Sequence, residues 1–331
     1  MAEQLPSLLD PQTPPIVRDE LAALSDAVDE QVPRKRDGRR NLLIGTWNIK
    51  DFGSLTEKWS AGSDDSPKRD WRALWAIAEI VSRFDVIALQ EVTGNLKALR
   101  TLMKTLGRRW SFLMTDITRG SAGGGERIAF LFDTARVELS GLAAELVVPK
   151  EWLDEISPDT LHEQFARSPY AVSFQAGSET FILTTLHVKY GKVPADRLPE
   201  LAATARWMKE WAEQAHRWHH NLLVLGDFNI DRRDDDLWRA FVSTGLTVPA
   251  ELDSVRRSIF ADPDNPQREK FYDQIAWFED GRDRLLDMAF LSAGGIDFVP
   301  HLYTDPKMTR QSLQYRMSDH YPLWVEFACR G

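Results

Sequence analysis

The sequence predicts an α/β fold in which buried β-sheets pack as a sandwich with helices on the outside. Four runs, LLIGTW from Leu42, DVIALQ from Asp85, FILTTLH from Phe181 and NLLVLG from Asn221, are apolar, rich in β-branched residues and short, as buried strands are. Stretches with apolar residues at helical spacing lie between them. Each run stops at, or one residue before, a side chain able to bind a metal or move a proton: Asn48, Glu91, His187 and Asp227. Strands that end alike gather those groups on one rim of the sandwich, where residues far apart in sequence can share a site.

Residues 1–40 are rich in Pro, Asp, Glu and Arg, with a short helix expected from Val17 to Val28 and the basic cluster PRKRDGRR from Pro33. They read as a flexible extension or, alternatively, as an arm that docks a protein partner. The first strand follows from Asn41, and the Gly/Ser/Asp/Lys-rich stretch from Asp51 to Asp70 is expected to be a long loop. Leu74, Ile77, Ala78 and Val81 then predict a helix over Trp71–Arg83, and Leu96–Leu106 a second one. A strand is expected from Ile128, whereas residues 150–166 carry no clear pattern. AVSFQAGSETFILTTLH reads as a hairpin turned at Ala176 and Gly177, and Ala195–Trp218 as a long amphipathic helix carrying Leu198, Leu201, Trp207 and Trp211. After NLLVLGDFN, the run DRRDDD reads as a solvated helix start or loop. FYDQIAWF, RLLDMAFLSA and YPLWVEFACR are further strands, the last closing a sheet.

The chemistry-bearing residues run from Thr46 to Pro322 and must converge, so a chain of 331 residues is expected to hold one catalytic domain over 41–331 rather than two. Hydrophobic residues at 43% supply its core. A net charge of −9 and a pI near 5.4 argue against bulk attraction to a polyanion. Carboxylates that ligate metals would inflate that total. The lone Cys329 excludes an internal disulfide and fits a reduced compartment, with the cytoplasm as default. No signal-peptide core or bilayer-spanning run is apparent, so no membrane span is expected.

Five islands carry the chemistry: TWN at Thr46, QEV at Gln90, LHVKYG at Leu186, LGDFN at Leu225 and SDHYP at Ser318. A carboxylate at the end of an apolar strand, as Glu91 is, is costly unless a cation offsets it. Mg²⁺, with Mn²⁺ as a substitute, takes one or two carboxylates plus amide oxygens and waters, the donors that Glu91, Asn48 and Asp319 offer. His187 and His320 can together take a proton from water and return one to a leaving alkoxide. His162, His216, His219, His220 and His301 read as surface or packing residues.

The order and wording of these islands resemble the endonuclease/exonuclease/phosphatase superfamily, which is deoxyribonuclease I-like and includes exonuclease III, the inositol-polyphosphate 5-phosphatases and the neutral sphingomyelinases. The resemblance covers roughly residues 41–328, and the motif wording is nearest to the deoxyribonuclease I branch. It implies a four-layer α/β/β/α sandwich of two packed mixed sheets. It also implies hydrolysis of a phosphodiester by in-line attack of an activated water. Asp227 would orient that water or a metal, and Asn229 would donate to a non-bridging phosphate oxygen. Asp273 in FYDQI matches the carboxylate that pairs with His320, and Glu126 in GERIAFLF the one that pairs with His187. His320 with Asp273 would then activate water and His187 with Glu126 protonate the leaving oxygen, roles that could be exchanged. Arg167 in ARSPY matches an Arg-x-Pro element facing the phosphate.

The exonuclease III branch carries tyrosine where His187 stands, and is disfavoured. The deoxyribonuclease I arginine that enters the minor groove is replaced by Thr93-Gly94-Asn95, the 5-phosphatase CDRIL segment is absent, and Tyr190-Gly191 after His187 have no assigned meaning. The resemblance implies a Mg²⁺-dependent endonuclease, with DNA ranked ahead of RNA as substrate. Arg119, Lys189 and the Ser54–Lys68 loop are the further phosphate contacts expected. Alternatives are a phosphatase or phospholipase-type phosphodiesterase on a small or lipid head-group ester, and an inactive binding module of the same fold.

Overall fold

The computed structural model of the chain describes residues 5, 9–36, 40–118, 124–147, 165, 167–215, 221–261, 269–278 and 286–329. Strand β1 (Asn41–Phe52) shows why the runs read as continuously apolar. Leu42 and Ile44 enter the interior between two sheets, while Leu43, Trp47 and Ile49 face helices on the other side. Both faces are buried, so no polar alternation survives. β2 (Val86–Thr93) runs parallel to β1, and β3 (Trp110–Met114) and β4 (Glu126–Asp133) continue antiparallel.

The second sheet is built from β5 (Glu138–Glu145), β6 (Tyr170–Ala176), β7 (Glu179–His187), β8 (Asn221–Asp227), β9 (Leu246–Thr247) and β10 (Asp273–Phe278). The chain then returns to the first sheet with β11 (Ala289–Gly295) and β12 (Leu323–Ala328). The orders are β11-β12-β1-β2-β4-β3 and β5-β6-β7-β8-β10-β9, each mixed sheet having one central parallel pair, β1 with β2 and β7 with β8. Parallel neighbours end on the same side, which is how the sequence ends of these strands come to share a rim.

Helices α1 (Pro15–Gln31), α2 (Trp71–Ser82) and α3 (Lys97–Leu106) form the outer layer of the first sheet, where Leu24, Leu74, Ile77 and Leu99 pack with Leu43, Ile87 and Leu131. Helices α4 (Leu198–Ala215) and α5 (Asp236–Val242) cover the second, with Met208 and Phe241 against Ile182, Val224 and Ala276; a last short helix, α6, spans Arg310–Leu313. This is the α/β/β/α sandwich expected, its interior filled by Phe130, Phe132, Phe174, Phe181 and Phe327. Asp70 caps α2 through the Ala73 amide, and Asp235, within the DRRDDD run, caps α5 through that of Trp238.

The looseness expected of residues 1–40 does not describe α1. Val17, Leu21, Leu24 and Val28 are buried, and the buried Glu20 accepts from Arg72 and from the amides of Tyr303 and Thr304. Two residues of the basic cluster are likewise paired with the core, since Lys35 lies 3.4 Å from buried Asp133 and Arg36 lies 3.4 Å from buried Glu326. The hairpin turns one residue later than expected, because Ala176 pairs with Glu179 and leaves Gly177 and Ser178 in the turn. The long helix begins as a 3-10 turn at Pro194–Arg197, while residues 216–218 lie outside the described residues. No described helix is long and apolar enough to cross a membrane.

Candidate active site

One rung of the second sheet sets the site. His187 at the end of β7 lies opposite Asp227 in β8, and Asp227 lies opposite Asp273 in β10. The rung is possible because the residue before Asp227 is Gly226, whose φ is +142° and where a Cβ would sit 2.2 Å from the Leu186 carbonyl oxygen. Only glycine lets the two strands approach there.

His320 enters from the segment before β12. Its carbonyl accepts from the Trp47 indole at 2.9 Å, its amide donates to Ser318 Oγ at 3.0 Å, and Ser318 Oγ in turn donates to the Asn48 carbonyl at 2.6 Å. Its Nδ1 is 2.7 Å from Asp273 Oδ2, leaving Nε2 to face Asp227 Oδ2 at 3.9 Å. His187 repeats the arrangement: Nδ1 lies 3.1 Å from Glu126 Oε2, and Nε2 lies 3.6 Å from the same Asp227 oxygen. Two buried imidazoles, each backed by a carboxylate, thus present Nε2 toward one point.

Charge sets their protonation. Burial works against a proton on His320, but Asp273 and Asp227 outweigh it and raise the ring well above an ordinary histidine. Burial pushes Asp273 up to about 6. Burial also opposes His187, yet Glu126 and Asp227 raise it. Asp227, although buried, is held below the usual carboxylate range by the two histidines, by Asn48 and by the Asn229 amide.

Asn48 ties the sheets together, its Nδ2 donating to Glu91 Oε1 and to Asp227 Oδ2, both at 2.9 Å. Glu91 holds a positive φ of 61°, an uncommon conformation for a non-glycine residue, and its second oxygen accepts from the Asp51 amide. Asp319 pairs with Lys50, whose ammonium is 3.1 Å away. Burial opposes that ammonium, but Asp319, Glu91 and Asp51 together hold it above the ordinary lysine value. Asp227, Asp273 and His320 also offer ligand atoms within 4.8 Å of one another. Asp273 Oδ2 and Asp227 Oδ2 already face His320 Nδ1 and the Asn48 amide, respectively.

Several of the other expected residues have partners within the protein. Arg167, expected to face a phosphate, pairs with Glu126 Oε2 at 2.7 Å. Asn229 directs Nδ2 to the Val188 carbonyl at 2.7 Å. In the Ser54–Lys68 loop Lys58 binds Asp65, and Lys68 donates to the carbonyls of Gly62, Ser63 and Asp65, so both ammonium groups serve the loop itself. Lys189 donates its amide to Glu200, while Arg119, His162, His216, His219 and His220 lie outside the described residues. His301 ends a 3-10 turn.

Sequence reasoning missed Lys50, two residues beyond Asn48, and Arg69. The buried Arg69 guanidinium donates to the carbonyls of Ile49, Lys50, Asp51, Arg316 and Met317, clamping the chain after Asn48 to the chain before Ser318. Nothing in a polar loop sequence marks such an arginine.

Residues 45–320 match the endonuclease/exonuclease/phosphatase family, to which the chain belongs, and it is a hydrolase of that family. A relative named "Deoxyribonuclease" from Thioalkalivibrio sp. (strain K90mix) is 28% identical over 301 residues, which is 87% of this chain and 71% of the relative. The fold is shared with a mannosyl-6-phosphatase of Bacteroides thetaiotaomicron VPI-5482, at TM-score 0.58 and 18% identity over 87% of this chain and all of that one. It is shared as well with the human Nocturnin catalytic domain, at TM-score 0.57 and 14% identity over 87% and 93% of the two chains.

Proposed function

We propose that the protein is a divalent-metal-dependent phosphodiesterase that cleaves DNA endonucleolytically. The observation that carries this is the pair of carboxylate-backed imidazoles whose Nε2 atoms face Asp227 Oδ2 at 3.6 and 3.9 Å. Phosphodiester hydrolysis needs a base for the water and an acid for the leaving oxygen on either side of one phosphorus, and these two rings supply both. His320, oriented by Asp273, is assigned the proton of the attacking water, which it takes as the neutral imidazole. His187, oriented by Glu126, is assigned the proton given to the leaving oxygen. Asp227 holds the water between them, and the second N–H of Asn229 is available to a phosphate oxygen.

The residues Asn48, Glu91 and Asp319 offer the donors a hard cation such as Mg²⁺ takes, two carboxylates and, with the Asn48 amide turned so that its oxygen rather than Nδ2 meets Glu91, an amide oxygen; the Lys50 ammonium is already drawn to Asp319. When bound there, Mg²⁺ would neutralise charge on the phosphate. Asp227, Asp273 and His320 are assigned to proton transfer, not to the metal. DNA as substrate rests on the deoxyribonuclease relative. The net charge of −9 favours a second reading, a phosphatase or phospholipase-type phosphodiesterase on a small or lipid head-group ester. We assign residues 41–331 to the catalytic domain, with α1 packed against it, and place it in the cytoplasm on the strength of the buried free Cys329.

The test is a substrate panel with Mg²⁺: single- and double-stranded DNA, RNA, a sugar phosphate, an inositol phosphate and sphingomyelin vesicles. Internal cleavage of DNA, stopped by EDTA, is expected. Turnover of a small or lipid ester with DNA left intact would overturn the nuclease reading.

A further inference from the structure

Tyr190, three residues beyond His187, is 54% exposed, yet its ring is fixed. The buried Arg197 donates Nε to the Tyr190 carbonyl at 2.6 Å and sets its guanidinium 4.2 Å from the ring centroid. Arg197 is itself anchored on the Asn229 carbonyl at 2.7 Å and on Asp231. A buried cation therefore backs one face of the tyrosine from the protein side, and much of the remaining ring surface meets solvent. Tyr190 meets Tyr272 edge to face at 6.3 Å, and Tyr272 lies 5.6 Å from the His320 ring. Three rings thus lead from the reacting centre to the surface. The Lys270 ammonium, paired with Asp231, lies 5.8 Å from the Tyr272 ring.

Resting on the nuclease reading above, we infer that Tyr190, with Tyr272 behind it, is a stacking subsite for one unpaired nucleobase of the strand being cut. Aromatic faces bind bases by stacking without reading their edges. In an intact duplex each base already stacks on its neighbours, so the subsite favours single-stranded or frayed DNA.

The test uses a short single-stranded oligonucleotide with one cleavable phosphodiester, its other linkages being methylphosphonates. It is made in an intact form and in forms with an abasic residue on either side of that linkage. Wild type, Tyr190→Ala and Tyr190→Phe are compared by kcat/KM with Mg²⁺. Wild type is expected to lose roughly 5- to 150-fold on one abasic substrate, the range that loss of one stacked base gives. Tyr190→Phe should keep that discrimination, and Tyr190→Ala should cut the intact and abasic substrates equally. Discrimination that persists in Tyr190→Ala, or is missing from wild type, overturns the subsite alone. A wild type that nicks plasmid DNA but cuts none of the oligonucleotides overturns the subsite alone, and one that cuts neither overturns the nuclease reading and the subsite together.

Discussion

Replacing Asp273 with Asn keeps the size of the side chain and removes the charge that faces His320. The bond it alters is short, 2.7 Å between Nδ1 and Oδ2, and a hydrogen bond to a charged group contributes about 1.5–3 kcal/mol. Against that stands the cost of burying the carboxylate, visible in its rise to about 6. The two offset in part, but Asn leaves the buried His320 ring without its counter-charge, so Asp273→Asn should destabilise the protein by up to about 3–5 kcal/mol while the ring keeps its proton, and by less once it gives it up. Activity has no such offset. An amide leaves His320 less basic and able to adopt the wrong tautomer, and loss of positioned acid–base catalysis costs about 10²–10⁴-fold. kcat/KM on DNA, urea unfolding and calorimetric Mg²⁺ titration of the same variant separate these effects. Activity within about tenfold of wild type in a folded variant would refute the acid–base assignment. A loss of Mg²⁺ affinity of about 10- to 100-fold would instead move Asp273 into a metal site with Asp227 and His320.

Glu91→Gln removes one of two carboxylates proposed for the cation, and should weaken Mg²⁺ binding at least about tenfold while leaving the His320 titration, followed by NMR in the apo protein, close to wild type and lowering that of His187, which the Glu91 charge helps to raise. Gly226→Ala forces a methyl group against the Leu186 carbonyl at a φ of +142°, so it should destabilise the protein by at least about 1–3 kcal/mol in urea unfolding; a neutral result would mean that β7 and β8 part easily. Glu20 tests pH. Burial opposes its charge, but Arg72 and the Thr304 amide hold its carboxyl below the ordinary 4.5, so its contribution is full above that value and is lost as pH falls through the depressed one. The gap in urea midpoint between wild type and Glu20→Gln should therefore be open at neutral pH and close on acidification; a constant gap would remove the carboxylate from the stability of α1.

The strands that carry the site were legible because burial on both faces leaves an unbroken apolar run, and a polar residue at its end then stands out. Asn48, Glu91, His187 and Asp227 all announce themselves in this way. The pairing of His187 with Glu126 and of His320 with Asp273 came from resemblance, since no periodicity links residues 61 and 47 positions apart. Edge elements were not legible. β5 alternates only between exposed and half-buried residues, with Leu139 outward and Gly141 at a positive φ, and among the described strands pairs only with β6, while β3 is half-buried along its whole length, so neither carries an apolar run that marks a strand. The packing of α1 depends on Arg72 and on the Tyr303 and Thr304 amides, and the absorption of Lys35 and Arg36 on Asp85 just before β2, Asp133 in β4 and Glu326 in β12, all far along the chain. Arg69 and Lys50 show the same limit: their partners are backbone carbonyls and a carboxylate supplied by other segments.

The most direct measurement is nicking of supercoiled plasmid at low salt by wild type and by His187→Ala, each with Mg²⁺ and with EDTA. Nicking by wild type with Mg²⁺, lost in EDTA and reduced at least about 10²-fold in the variant, is the result expected of a metal-dependent endonuclease with His187 in proton transfer. Nicking that continues in EDTA, or that His187→Ala leaves intact, would contradict it.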